Sequence, residues 1–177
     1  DARLTRDPGL ARDAAGVVLP GVGAFGACMD ALRAAHLEDV VYESVASQRP
    51  FMGICVGMQV LFEKSTEHSG EGFFEGLNEW PGTVEKLVAP VLPHMGWNTV
   101  QFKKESNLRK EIRPNPRYYF VHSYFVECNK QEDVLCSTDY GKEFVSGFEH
   151  ENIFGLQFHP EKSHQYGEKL LHNFANL

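Results

Sequence analysis

The stretch Pro50-Phe51-Met52-Gly53-Ile54-Cys55-Val56-Gly57-Met58-Gln59-Val60-Leu61-Phe62-Glu63 sets one cysteine between two glycines, after a short apolar run and before a helix-like one. A strand that turns sharply into a helix strains the backbone of its turn residue, and glycines on either side give the chain room to pass. Such a nucleophile elbow aims the free N–H groups of the helix at the sulfur, which favours the thiolate and can later hold an oxyanion. Cys55 is therefore read as an exposed, activated nucleophile. Without its glycines it would be read as a small core hydrophobe.

Working outward, Gly16-Val17-Val18-Leu19 ends in Pro20-Gly21 and reads as a buried strand stopped by a loop. Apolar residues from Phe25 through Met29, Leu32, Ala35 and Leu37 recur at helical spacing, and a second helical stretch runs from Leu37 to Ala46. Strand, helix, strand and helix with short apolar strands indicate an α/β fold whose sheet is mixed, largely parallel and flanked by helices. Beyond Gly82, β-branched and aromatic residues cluster in 83–87, 99–102, 118–121, 144–148 and 153–157, which read as strands, some antiparallel. Segments 67–76 and 103–116 read as irregular, and the amphipathic face of Tyr166, Leu170, Leu171 and Phe174 predicts a final helix.

The chain has 177 residues, 42% of them hydrophobic, which suits a single domain with a real core. A net charge of −7 without basic clusters argues against nucleic-acid and anionic-membrane partners and for small-molecule or protein ones. The apolar runs are too short to span a bilayer, and the first residues lack a signal peptide's apolar core, although the sequence begins without methionine. The four cysteines, Cys28, Cys55, Cys128 and Cys136, form no CxxC pair, so a reducing, cytosolic setting is expected.

A cysteine nucleophile needs a base, and the base needs something to orient it. His159-Pro160-Glu161 follows the strand-like run Ile153 to Phe158, where the proline fixes local geometry and lets Glu161 hold one tautomer of His159. Taken singly, His159 would be a satisfied polar residue and Glu161 a solvated one; the combination with the elbow carries the inference. Cys28, Cys128 and Cys136 lack flanking glycines of this kind and are assigned to packing. His36, His68, His150, His164 and His172 lie in polar surroundings, whereas His94 and His122 lie in apolar or aromatic ones, as core histidines or as ligand contacts. No spacing supports a metal site and no cofactor is implied. Oxyanion donors are expected from the Val56 amide and from the loop Pro20-Gly21-Val22-Gly23-Ala24-Phe25, a stretch that fits a plain strand-to-helix turn equally well.

Gly53 to Gln59 together with Gln157-Phe158-His159-Pro160-Glu161-Lys162-Ser163 resembles the triad class of glutamine amidotransferases. Pro20 to Phe25, Pro93-His94-Met95-Gly96-Trp97-Asn98 and Tyr119-Phe120-Val121-His122-Ser123-Tyr124 are similar to the glutaminase subunits of imidazole glycerol phosphate synthases. The resemblance implies hydrolysis of L-glutamine through a thioester on Cys55, with His159 as base and then acid and Glu161 orienting it. It implies glutamine contacts at Gln59, Glu67, Ser123 and Tyr124, and oxyanion donors at Gly21, Val22, Gly23 and Val56. It also implies a (β/α)8-barrel synthase (cyclase) partner near Trp97, Asn98, Tyr119 and Lys162. The family's first strand, its Asp-Tyr-Gly-x-Gly-Asn loop and the following helix have no counterpart here, so an α/β sheet lacking that strand and helix is expected. Glutaminases of other synthases, such as those for anthranilate, aminodeoxychorismate or guanylate, and a non-catalytic binding subunit are the alternatives.

Overall fold

Two runs without a polar residue, Phe51–Cys55 and Ile153–Leu156, lie side by side in parallel, with Phe154 opposite Met52 and Leu156 opposite Ile54. Both are buried along their whole length, as strands covered on two faces must be. The computed structural model describes residues 2–67 and 72–177, so His68 lies outside the described residues. In chain order the elements are α1 (Pro8–Arg12), β1 (Val17–Gly21), α2 (Phe25–Ala34), α3 (Glu38–Ala46), β2 (Phe51–Cys55), α4 (Val56–Gln59) and β3 (Phe62–Ser65). Next come β4 (Phe74–Glu75), β5 (Trp80–Lys86), β6 (His94–Thr99), β7 (Gln101–Phe102), β8 (Arg117–His122) and β9 (Tyr124–Cys128). The chain continues with β10 (Val134–Asp139), β11 (Glu143–His150), β12 (Ile153–Leu156) and α5 (His164–Phe174).

Among the described residues the main sheet runs β1-β2-β12-β11-β9-β5-β3-β4, with β10 joining β11 to β7, and β6 and β8 form a separate antiparallel pair. The fold is α/β with a mixed sheet, but the expectation of a largely parallel one is corrected. Among the described residues, parallel pairing is confined to β1 with β2, β2 with β12, and β3 with β5. The turns between β10 and β11 and between β11 and β12 are too short for a crossover, and such turns can only produce antiparallel neighbours.

Helical faces follow from spacing. In α2, Phe25, Met29 and Leu32 are buried at helical intervals, and in α5 Leu170 and Phe174 are, the latter meeting Phe154 edge-on at 6.0 Å. Each such side chain contributes roughly 1.5–3 kcal/mol by leaving water. The helix α1 adds to the elements read from sequence; Asp7 caps it through the Gly9 amide at 2.8 Å, and Pro8 opens it.

Two local expectations change. β1 has β2 as its neighbour on one side and is half-buried rather than buried, with Val18 42% exposed. The helix-like run after the elbow stops at α4 because tertiary amides claim its carbonyls. Leu77 N–H donates to Val60, and both Glu79 and Trp80 donate to Leu61, which turns the chain into β3.

Candidate active site

Cys55 ends β2 and stands at the N-terminus of α4 with φ 56° and ψ −114°, a conformation that costs a non-glycine residue about 1–3 kcal/mol. Close backbone contacts hold it there. A Cβ on Gly57 would sit 2.0 Å from the Leu19 carbonyl oxygen, one on Gly53 2.5 Å from the Gly57 oxygen, and one on Gly21 2.3 Å from the Gly57 nitrogen. Three glycines thus let β1, β2 and α4 meet backbone to backbone. The expected exposure of the thiol is corrected: Cys55 is 4% exposed, within the core cluster, and Gln157 Nε2 lies 3.6 Å from its sulfur.

His159 follows β12 and is fixed at its backbone by Tyr119, whose carbonyl accepts the His159 amide at 2.8 Å. Ser163 Oγ donates to the His159 carbonyl at 2.5 Å and accepts the Tyr119 amide at 3.0 Å, so one buried hydroxyl ties the histidine to β8. On the ring, Nδ1 bonds Glu161 Oε1 at 2.7 Å, which leaves Nε2 for the Cys55 side. That nitrogen is buried without an aligned hydrogen bond, yet it interacts with the cysteine. Cys55 first and Glu161 second raise the imidazole pKa to about 9, against the opposing effect of burial. Burial pushes the Glu161 carboxyl up, but its bonds, led by the one to His159, bring it below the ordinary value.

A line of buried polar groups ends on the sulfur. Gln157, fully buried, places Nε2 3.6 Å from Cys55 Sγ, and its Oε1 accepts Gln59 Nε2 at 3.0 Å. Gln59 Nε2 also donates to the Tyr124 carbonyl at 3.0 Å, and His122 Nδ1 meets the same oxygen at 2.8 Å. His122 Nε2 lies 3.0 Å from His94 Nδ1, and His94 Nε2 lies 3.2 Å from Asn98 Nδ2, which donates to the Asp139 carbonyl at 2.9 Å. Carbonyl oxygens only accept, so Tyr124 and Asp139 set every tautomer and amide orientation between them. Both histidines are neutral Nδ1–H donors. Their pKa values fall to about 4 for His94 and about 3 for His122, with burial the first cause.

The remaining expected residues are placed as follows. Gly21 stands opposite Cys55 in the parallel register, and Val22 and Gly23 carry the chain on to α2, Gly23 with φ +90°. The Val56 amide is the first of α4 and has no partner within that helix. Glu67 Oε2 accepts the Phe25 amide at 2.8 Å and so caps α2, whose N-cap residue Ala24 has no side chain to do it. Ser123 accepts the Leu87 amide at 2.8 Å through its carbonyl. Trp97 and Tyr119 are cross-strand partners with rings 6.1 Å apart, and Lys162 Nζ lies 6.0 Å from the Tyr119 ring. Asn98 does not join them; β6 alternation turns it toward His94.

The class-I glutamine amidotransferase family model matches residues 5–176. The chain belongs to that family. The imidazole glycerol phosphate synthase subunit HisH of Streptomyces coelicolor is 47% identical to this amidotransferase, covering 98% of it and 81% of the relative. The HisH subunit of Pyrococcus furiosus is 46% identical over 98% and 88% of the two chains. A crystal structure of a glutamine amidotransferase shares the fold at TM-score 0.73 and 16% identity, covering 98% of this chain and 86% of that one. The sequence reading gave no role to Gln157, whose side chain lies 3.6 Å from the Cys55 sulfur. Its signal was present: a glutamine between Leu156 and Phe158 at the end of an all-apolar strand.

Proposed function

We propose that the chain hydrolyses L-glutamine to L-glutamate and ammonia through a γ-glutamyl thioester on Cys55. We further propose that it delivers the ammonia to a (β/α)8-barrel synthase subunit that forms imidazole glycerol phosphate in histidine biosynthesis. One observation carries the chemistry: a strained elbow cysteine interacts with a buried imidazole whose other nitrogen is held by a carboxylate. The synthase assignment is supported by the HisH relatives.

In the proposed cycle the Cys55 thiolate attacks the γ-carboxamide carbon, and the Val56 amide with the loop of Gly21, Val22 and Gly23 receives the oxyanion. Protonated His159 gives its Nε2 proton to the departing amine, which leaves as ammonia while the thioester remains. Neutral His159 then takes a proton from water, hydroxide adds to the thioester, and collapse returns glutamate and the thiolate. Glu161 keeps the ring in the required tautomer throughout. With both hydrogens of Gln59 Nε2 already donated, its Oε1 is the atom left to accept an N–H of the substrate. Glu67 supplies a carboxylate for the substrate ammonium, and Ser123 and Tyr124 supply backbone groups. Trp97, Tyr119 and Lys162 form the surface offered to the barrel subunit, with Asn98 behind them. Free thiols at all four cysteines suit a reducing, cytosolic setting.

The test is glutamate release by wild type and Cys55→Ala, each with and without the barrel subunit and its ligand. Release is expected from wild type, strongly raised by the partner, and absent from Cys55→Ala. Turnover that survives in Cys55→Ala would rule out the thioester.

A further inference from the structure

We propose that Gln157 is a positioning residue for the nucleophile: its carboxamide donates an N–H to the Cys55 sulfur and favours the thiolate. The proposal deepens the reading above and rests on Cys55 being the acceptor of the glutamyl group. Gln157 sits between Leu156 and Phe158, buried at 0% exposure, where an apolar side chain would fill the same volume without desolvating an amide. A buried carboxamide is costly unless its polar atoms are partnered, and here the partners are Gln59 and Cys55.

The direction of the bond follows from a backbone group. The Tyr124 carbonyl can only accept, so Gln59 presents Nε2 to it and, through the same nitrogen, to Gln157 Oε1. Gln157 must then turn its NH2 group to the sulfur, 3.6 Å away. Its own main chain is pinned by the bond from its amide to the Ser146 carbonyl at 2.9 Å. A donor so fixed favours an anionic sulfur over a thiol. It favours the thiolate again when the thioester breaks and the sulfur leaves.

The experiment is alkylation of the 177-residue chain by iodoacetamide, whose carboxamide resembles that of the substrate, with peptide mapping of the labelled cysteine at neutral pH. Gln157→Met fills the volume without a donor, and Gln157→Glu sets a carboxylate against the sulfur. The rate constant for Cys55 alkylation at neutral pH is expected to fall several-fold in Gln157→Met and further in Gln157→Glu. A purely packing role would move thermal stability but not the order of these rates. Unchanged rates in folded variants, with Cys55 still labelled selectively, would overturn the role of Gln157. Wild-type labelling that ignores Cys55 would instead overturn the nucleophile assignment. If neither variant folds, the side-chain amide signal of Gln157 in ¹⁵N spectra decides. It must move when wild-type Cys55 is alkylated and stay still in Cys55→Ala treated alike, and a signal indifferent to Cys55 refutes the contact.

Discussion

His94 Nδ1 and His122 Nε2 lie 3.0 Å apart inside an enclosure of Phe120, Tyr140 and Phe144. Both rings are neutral because burial holds their pKa values at about 4 and about 3, below the 6.5 of an open chain. Between pH 6.5 and those values the unfolded chain binds protons that the fold refuses, so stability falls as pH falls. His159 has the opposite sign: raised to about 9, it contributes fully below 6.5 and loses its contribution as pH rises through 9. Urea denaturation is therefore expected to show greatest stability near neutrality, with a loss on the order of several kcal/mol on the acid side. A His94→Gln/His122→Gln double variant should flatten that acid limb, and an equally steep limb would contradict the assignment.

The raised pKa of His159 has two named sources, Cys55 first and Glu161 second. Cys55→Ala and Glu161→Gln should both bring its titration midpoint down toward the ordinary value, Cys55→Ala by the larger amount. A tenfold loss of proton affinity corresponds to about 1.4 kcal/mol of interaction with the protonated ring. Ring-carbon NMR titration measures it, and a midpoint that ignores Cys55 would remove the electrostatic link between them.

Gly57→Ala sets two effects of opposite sign against each other. Helix propensity alone predicts a gain of about 1 kcal/mol. The new Cβ, however, would lie 2.0 Å from the Leu19 oxygen, a backbone atom that cannot rotate away. The clash should win, costing ~3 kcal/mol and roughly 6–12 °C of thermal midpoint. A stabilised Gly57→Ala would mean that β1 and α4 separate more easily than their contact implies.

Glu67 serves a fold and, as proposed, a substrate through one carboxylate. Glu67→Gln keeps an acceptor for the Phe25 amide, so it should lose less stability than Glu67→Ala, for which about 1 kcal/mol is expected. Both should raise the KM for glutamine, because neither retains the charge that meets an ammonium group. Equal KM values in wild type and Glu67→Gln would remove the substrate role and leave the cap.

The legible parts of the sequence were those where local demands and tertiary ones agree. Phe51–Cys55 is apolar because it is buried on both faces, and the glycines around Cys55 are required by contacts under 3 Å, so the elbow could be read directly. His159-Pro160-Glu161 could be read because the ring and its carboxylate lie within one short turn. What could not be read depends on residues far apart in the chain. The length of α4 is decided by amides near Leu77, and the orientation of Gln157 by the carbonyl of Tyr124. The placement of Asn98 depends on strand alternation relative to His94, which motif matching does not register.

The backbone meeting of Gly21 and Gly57 sets the strand that ends opposite Cys55 in main-chain contact with the helix that follows Cys55. Side chains act as shims in most enzyme sites, taking up small errors of placement by changing rotamer. At this joint the nearest atoms are main chain, with only the rigid Cβ of Val56 beside them, so a displacement of one part moves the other by the same amount. Alignment between the Cys55 sulfur and the proposed oxyanion donors is a machined tolerance of the main chain, and distant substitutions will register in it only by shifting whole segments.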